Sequence, residues 1–396
     1  MPKLLQINIT SNWGSTGKIA EQIGLCAMSY GWVSYVAYGR YSNPSKSNLI
    51  RVGSKFDTYM HYGEQRILDN EGLCSRGATK KLIEQIKEIK PDVVQLHNIH
   101  DHYLNYQVLF DYLNQTDIKV VWTFHDCWAF TGHCMHFVTK NCDRWKNGCH
   151  DCMMKGEYPK SIIDRSSRNW ALKKSLFTAN VNLTIVACSQ WIADFVKESF
   201  FGDKRIVVRY NGVDLNAFKI LPVEKPKKFR ILAVSSVWPK AKGVFDIFRL
   251  CEMLPIDQYE IMMVGLTEKQ IDTLPEGIIG FKRTQNVQEL VRLYNEADVL
   301  INPTYADTFP TVNLESLACG TPVITYKTGG SAEAIDENTG LVIEQGNVDA
   351  LVNAIIQMKN HPLSSEACRK RAEEYFDKDK CFDAYIDLYN ELIENK

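Results

Sequence analysis

No apolar run in this chain is long enough to cross a bilayer; the longest, around residues 181–187, has the length of a strand. The opening MPKLLQINITSNWG has one lysine, a short apolar stretch and no small-residue cleavage site. That is too little for an export signal. The expectation is a cytoplasmic protein whose contact with a membrane is at most peripheral, at its inner face. Net charge is nearly absent as well: 46 Lys and Arg against 47 Asp and Glu leave −1. That removes any global pull towards nucleic acid or anionic lipid. Two glycine signatures are missing. No G-x-G-x-x-G follows the first strand, which argues against a dehydrogenase or epimerase. Gly14-Ser15-Thr16-Gly17-Lys18 is not a phosphate loop of the G-x-x-x-x-G-K-[ST] kind, because two residues separate the glycines and Ile19 follows.

What is present is the composition of a soluble globular protein: 45% apolar and 23% charged residues over 396 positions. That length exceeds one compact core and suits two domains. Strand-sized apolar runs alternate with helical patterns from end to end. Runs at 3–9, 32–38, 92–96, 119–124, 183–187 and 206–209 read as strands, with helices between them. The charged, proline-containing stretch 221–228 (LPVEKPKK) reads as a linker. Alternation then restarts with strands at 229–234, 259–264, 299–302 and 322–325 and ends in three helices. Alternation on this scale implies parallel sheets covered on both faces, and so an α/β protein of two Rossmann-like domains facing across a cleft. Ligands then sit beyond the carboxyl ends of the strands. The expected division is a first domain over 1–220 with an insertion at about 126–160, a second over 221–376, and a helix over 377–396 packing back towards the first.

Residues 302–324, NPTYADTFPTVNLESLACGTPVI, carry the most chemistry. Asp307 and Glu315 stand eight positions apart, across a turn and into a helix. The backbone N–H groups of Thr308, Phe309, Thr311 and Val312, around Pro310, would meet an anion at that helix N-terminus. Glu315, about one turn in, can reach a ribose diol. Gly320 ends the helix and Pro322 stops its continuation.

This stretch resembles glycosyltransferase family four: an acid, seven intervening residues, Glu, then small residues and G-T-P-V. The family's first acid is usually Glu, and here it is Asp307. Asn211-Gly212-Val213-Asp214, Lys242-Gly243 and Gly329-Gly330-x-x-Glu333 are similar to family signatures in the same order. The resemblance is closest to the bacterial branch building capsular and exopolysaccharide units, colanic-acid type. It implies the GT-B arrangement, retention of anomeric configuration, no metal at the diphosphate and no catalytic cofactor. The donor would be a UDP-sugar or GDP-sugar, and the acceptor a saccharide or lipid-linked saccharide held by the first domain. Carried over by position, Lys242 grips the donor diphosphate and Asp307 the sugar. Lys240 supplies the charge of a family arginine replaced here by Val237. Arg283 lies where the base packs, and Gly14 and Gly17 let backbone approach phosphates or acceptor. His125, in TFHD, touches the donor sugar, with Asp126 orienting its ring; His97 and Asn98 line the acceptor pocket. Phe200-Phe201 offers a contact with the inner leaflet.

Twelve cysteines include four close together, Cys134, Cys142, Cys149 and Cys152. Without an export signal, zinc or free thiols are expected rather than disulfides. Trp128, Phe130, Phe137 and Trp145 in the same loop are expected to shape the acceptor entrance. The rival readings are a zinc-containing binding module and another Rossmann-type nucleotide-sugar enzyme.

Overall fold

A computed structural model describes residues 1–394 and divides them into two compact units. The first is Met1–Arg209 together with the chain from Phe382; the second is Tyr210–Cys381.

The first unit is a seven-stranded parallel sheet of β1 (Lys3–Asn8), β2 (Val33–Tyr38), β3 (Asn48–Arg51), β4 (Val93–Leu96), β5 (Lys119–Phe124), β6 (Leu183–Ala187) and β7 (Arg205–Val208). Their spatial order is β3-β2-β1-β4-β5-β6-β7. The chain winds outward from β1, then returns to β4 and winds the other way. The reversal leaves a crevice between β1 and β4, where the helices that follow them diverge to opposite faces. β4, β5 and β6 are short, and nearly every residue in them is buried, as a parallel sheet covered on both faces requires.

One cover is the helix Lys378–Glu394. Its Phe382, Tyr385, Ile386, Leu388 and Tyr389 pack on Leu4, Ile23, Val93, Val121 and Val186. Each such side chain contributes on the order of 1.5–3 kcal/mol when buried. Tyr389 donates to Gln95 Oε1 (2.8 Å) and Arg205 clamps Glu391 with two 2.7 Å bonds. The last two residues of the expected 377–396 helix lie outside the described residues.

The second unit is a six-stranded parallel sheet of β8 (Phe229–Val234), β9 (Tyr259–Val264), β10 (Ile278–Phe281), β11 (Val299–Asn302), β12 (Val323–Tyr326) and β13 (Gly340–Ile343). Its order is β10-β9-β8-β11-β12-β13, the same winding, with the crevice between β8 and β11. This unit begins at Tyr210, ahead of the expected 221. The stretch read as a linker is tied down inside it. Leu221 N donates to Asn295 Oδ1 (2.7 Å), and Lys225 Nζ to Ala297 O and Asp298 Oδ1 (both 3.0 Å).

Candidate active site

In the second unit the loops leaving β8 and β11 meet over the crevice. The β8 loop ends in a tight turn, Lys240–Lys242, followed by Gly243 at φ +71°. A Cβ on Gly243 would lie 2.1 Å from the carbonyl oxygen of Pro303, so only glycine lets the two loops touch. Tyr305 N donates to Ala241 O (2.7 Å), stitching them further. The result places Lys242 Nζ 2.5 Å from Asp307 Oδ2, an ion pair across the crevice with both side chains partly open to solvent.

The chain then enters the helix Thr311–Ala318. Pro310 is its N-cap, no side chain caps it, and no acid stands in its first turn. Its leading N–H groups and the positive end of its dipole are therefore left for an anion. Buried Asn313 pins the helix. Its Oδ1 accepts from Asn302 Nδ2 at the end of β11 (2.9 Å), and its Nδ2 donates to Ser331 O (3.1 Å). Glu315, half-buried one turn in, accepts from the hydroxyl of Tyr294 (2.8 Å). Phe309 is buried, stacked on Tyr210 at 4.9 Å and against Phe376 at 5.9 Å. The hydroxyl of Tyr210 is bonded to Glu333; burial and that carboxylate push it up to about 12. Gly330 N donates to Thr308 O (3.1 Å), so the glycine loop and the Asp307 loop form one surface.

The structure thus brings Lys242, Gly243, Asp307, Thr308 and the first turn with Thr311 and Val312 to one crevice. Lys240 is exposed, with its ammonium 5.8 Å from the ring centre of Phe245. Arg283 is exposed just past β10, the edge strand two removed from the crevice. Sequence reasoning missed Tyr294 and Asn313, whose partners lie 21 and 11 residues away. A buried tyrosine on an otherwise apolar helical face was the available signal for the first.

In the first unit the carboxyl ends of β4 and β5 set His97 and His125 side by side, Nδ1 to Nε2 at 3.1 Å. His97 Nε2 meets Gln6 Oε1 (3.1 Å), and Gln6 Nε2 donates to the carbonyl of Ala20 (2.7 Å). A carbonyl can only accept, so the amide turns its NH2 to Ala20 and its oxygen to His97. His97 then carries its proton on Nε2 and accepts at Nδ1, and His125 donates from Nε2. Burial lowers both imidazoles, His125 to about 4, so both are neutral at neutral pH. His97 is a partner of the His125 ring, and Asp126 accepts from Trp128 N (2.8 Å) and pairs with His100 Nε2 (3.0 Å). Burial would raise Asp126, but His100 more than reverses this and holds it at about 2.

The loop after β4 is strained. Asp101 and His102 both have positive φ, +78° and +70°. Buried Glu71 holds them, accepting from Asp101 N (2.5 Å) and pairing with His102 Nε2 (3.0 Å). Burial opposes its charge, yet His102 keeps the carboxyl at about 2. Near β1, Gly14 has φ +67°, and a Cβ on Gly17 would stand 2.6 Å from Thr10 Oγ1, so this glycine lets its helix close onto the loop.

The cysteine loop differs from expectation. Phe130, Phe137 and Trp145 are buried and form the loop's own small core with Phe195, whereas Trp128, also buried, packs on His100 and Tyr106 beside the ends of β4 and β5. Lys173 lies beneath it, 3.4 Å from the Trp128 ring centre, donating to Trp128 O (2.7 Å) and Thr131 O (3.1 Å). Of Phe200-Phe201, Phe201 is fully buried, and the half-buried Phe200 packs edge-on against Trp170. Cys134, Cys142, Cys149 and Cys152 are free thiols within one another's electrostatic reach. Burial pushes Cys149 up to about 12. Among the described residues no metal-holding group of three or more His, Cys, Asp or Glu is preformed.

Two units, each a parallel sheet with its winding reversed at a central crevice, define a Rossmann-like α/β protein. The chain belongs to the glycosyltransferases of the GT-B, family-four type. A sequence model described as Glycosyl transferases group 1 matches residues 218–375, and one described as Glycosyltransferase Family 4 matches 59–217. Among curated relatives it is similar to the putative colanic acid biosynthesis glycosyl transferase WcaC of Escherichia coli K12, 25% identical over 88% of this chain and 89% of that one. It is also similar to the N,N'-diacetylbacillosaminyl-diphospho-undecaprenol alpha-1,3-N-acetylgalactosaminyltransferase of Campylobacter jejuni, 23% identical over 51% of this chain and 59% of that one. Among solved structures it matches sucrose-phosphate synthase of Thermosynechococcus elongatus over the full length of both chains, TM-score 0.75 and 16% identity. Anabaena HepE, in complex with UDP and glucose, matches over 98% of this chain and 100% of that one, TM-score 0.67 and 15% identity.

Proposed function

We propose that this glycosyltransferase moves a sugar, with retention, from a nucleotide diphosphate onto a saccharide or lipid-linked saccharide in surface polysaccharide assembly. The observation that carries the reading is the Lys242–Asp307 pair beside the uncapped N-terminus of the helix Thr311–Ala318. Breaking the bond between anomeric carbon and phosphate leaves negative charge on the diphosphate. A fixed ammonium and aligned N–H dipoles stabilise that charge most where water is scarce. Lys242 leaves Asp307 to take the phosphate, which frees Asp307 for sugar hydroxyls. Glu315, aimed by Tyr294, holds the ribose. His125, neutral and with its Nε2–H given to His97, accepts at Nδ1 from a saccharide hydroxyl rather than supplying a charge. The acceptor oxygen bonds to the anomeric carbon on the face the phosphate leaves, and its proton passes to a phosphate oxygen.

UDP is the first nucleotide to test, since HepE binds it, and GDP the second. A lipid-linked acceptor is supported by the undecaprenol-linked substrate in the Campylobacter relative's name, and places the work peripherally at a membrane. The test is turnover of a nucleotide-sugar panel by the wild type, Lys242→Ala and Glu315→Ala. Near-wild-type rates in both variants would refute the assignment.

A structural zinc at Cys134, Cys142, Cys149 and Cys152 is a separate element of the proposal. Its support is the shared neighbourhood of the thiols and two backbone N–H groups, of Gly132 and Met154, aimed at the sulfurs of Cys149 and Cys152. Zinc would draw the sulfurs together and release their protons. Metal analysis of protein purified under reducing, chelator-free conditions tests it: less than stoichiometric zinc removes it.

A further inference from the structure

Four buried side chains close a ring of hydrogen bonds beneath the start of the Thr311–Ala318 helix. Asn302 ends β11, Thr325 lies in β12, Asn313 stands at the third position of the helix, and Ser331 follows the Gly329-Gly330 turn. None is more than 8% exposed. Two carbonyls fix which atom donates at each step. Asn313 Nδ2 lies 3.1 Å from Ser331 O, so its NH2 faces Ser331 and its oxygen accepts from Asn302 Nδ2 (2.9 Å). Thr325 Oγ1 gives its one proton to Asn302 O (2.9 Å). The hydroxyls of Thr325 and Ser331 are 2.6 Å apart, so Ser331 is the donor between them. Ser331 Oγ in turn accepts from Asn313 Nδ2 (3.2 Å). Every bond therefore runs one way, from Asn302 through Asn313, Ser331 and Thr325 back to Asn302. In such a chain each bond polarises the next.

Neighbours in the same elements, Ile301, Leu314 and Ile324, are buried and apolar. Apolar side chains of similar volume would fill the ring's place without the cost of desolvating four polar groups. What they would lack is direction. The ring joins three segments that carry the donor-site residues: the loop from Asn302 to Asp307, the helix start with Thr311 and Val312, and the glycine turn that leads to Glu333. Two contacts tighten the join. Gly330 N donates to Thr308 O (3.1 Å), and a Cβ on Gly329, at φ +56°, would lie 1.7 Å from Asp307 O. Of the four side chains, only that of Asn313 belongs to the helix. A Glu or Gln at this third position commonly turns back to cap the N–H of the N-cap residue. Here the N-cap is Pro310, which has no N–H. Asn313 turns instead to the next loop, and the N–H groups of Thr311 and Val312 stay outside the ring.

We infer that Asn313 is a positioning residue for sugar transfer, locking the helix start to the Gly329-Gly330 turn through this ring. The inference rests on the transfer reading and deepens it. A bound diphosphate can draw a loosened cradle around itself, but charge that develops during bond breaking needs its donors already in place. Asn313→Val keeps most of the volume and removes both ends of the amide. In the full chain, deuterium exchange is expected to quicken together in peptides covering 308–314 and 328–334, with peptides of the first unit unchanged. With the nucleotide sugar that the wild type turns over, kcat is expected to fall about tenfold or more. The Kd for UDP, or for GDP where UDP does not bind, is expected to change less than about threefold. A merely structural role would lower affinity and rate in proportion. Should Asn313→Val not fold, Ser331→Ala, which deletes one hydroxyl and opens the ring, carries both measurements with the same split expected. Exchange that is unchanged, or that quickens in 308–314 alone, overturns the inference, as does proportional loss of kcat and affinity. A wild type that turns over no nucleotide sugar sinks the transfer reading and this role with it. An active wild type matched in kcat by the variant sinks only this role.

Discussion

Lys242 and Asp307, 65 residues apart in sequence, share a 2.5 Å ion pair over the crevice between β8 and β11. Partial exposure limits its contribution to stability to about 0–1 kcal/mol. The pair is better understood as a placeholder. An ammonium held by one carboxylate is already aimed, and an arriving diphosphate replaces one anion by a stronger one. Lys242→Ala should therefore lower the transfer rate about 10²–10³-fold, as loss of one preorganised charge does. Unfolding monitored by circular dichroism should shift by under ~1 kcal/mol. A rate within threefold of wild type would remove Lys242 from the chemistry.

Tyr294→Phe removes the hydroxyl that orients Glu315 and nothing else of the side chain. One hydrogen bond is typically worth about 0.5–1.5 kcal/mol. The expected effect is a rise in KM for the nucleotide sugar of roughly two- to tenfold, with kcat nearly unchanged. Equal loss in kcat would place Glu315 in the transition state instead of on the ribose.

His61 and His125 are both lowered to about 4 from 6.5, mainly by burial. In the unfolded chain they take up protons below pH 6.5, and in the folded one only near 4. Stability is therefore full above 6.5 and is lost as pH falls towards 4. His100 works oppositely: burial lowers it, but Asp126 more than compensates and raises it, so its contribution is greatest on the acid side. With three depressed imidazoles, His61, His97 and His125, against one raised, the melting temperature should fall on acidification through this window. His61→Gln should flatten that fall in thermal scans across pH. Glu71 and Asp126, held at about 2, add a second loss at lower pH.

Lys173 holds two carbonyls of the cysteine loop from below, and burial lowers its ammonium to about 7. Lys173→Met keeps the apolar stem but leaves both carbonyls without that donor. The expected cost is about 1–3 kcal/mol, with faster proteolysis within residues 138–157. Unchanged cleavage would show that the aromatic core of Phe130, Phe137 and Trp145 secures the loop alone.

Much of this was legible along the chain because it is local. Alternation of apolar periods revealed both sheets. The run from Asp307 to Pro322 read as turn, helix and strand, because anion capture at a helix N-terminus needs residues adjacent in sequence. The helix Lys55–Leu68 was invisible for the opposite reason. Its apolar residues face outward and its polar residues face in, so its place does not follow from the usual association of apolar with buried. Asp126 was expected to orient His125 on adjacency alone, but both stand in the bend after β5, where Asp126 is taken up by Trp128 N and His100, while His97, just past β4, meets the His125 ring.

The order of residues alone determined the two α/β units, their strands other than β3, β10 and β13, and the turn and helix from Asp307, since backbone periodicity and helix ends depend on near neighbours. Only the tertiary structure decided which side chains confront one another: Lys242 with Asp307, Tyr294 with Glu315, Gln6 with His97 and His97 with His125. The meetings of Lys242 with Asp307 and of Gln6 with His97 are set by the winding reversal, which puts β8 beside β11 and β1 beside β4 and so brings residues distant in sequence to one crevice, a distance no local pattern encodes.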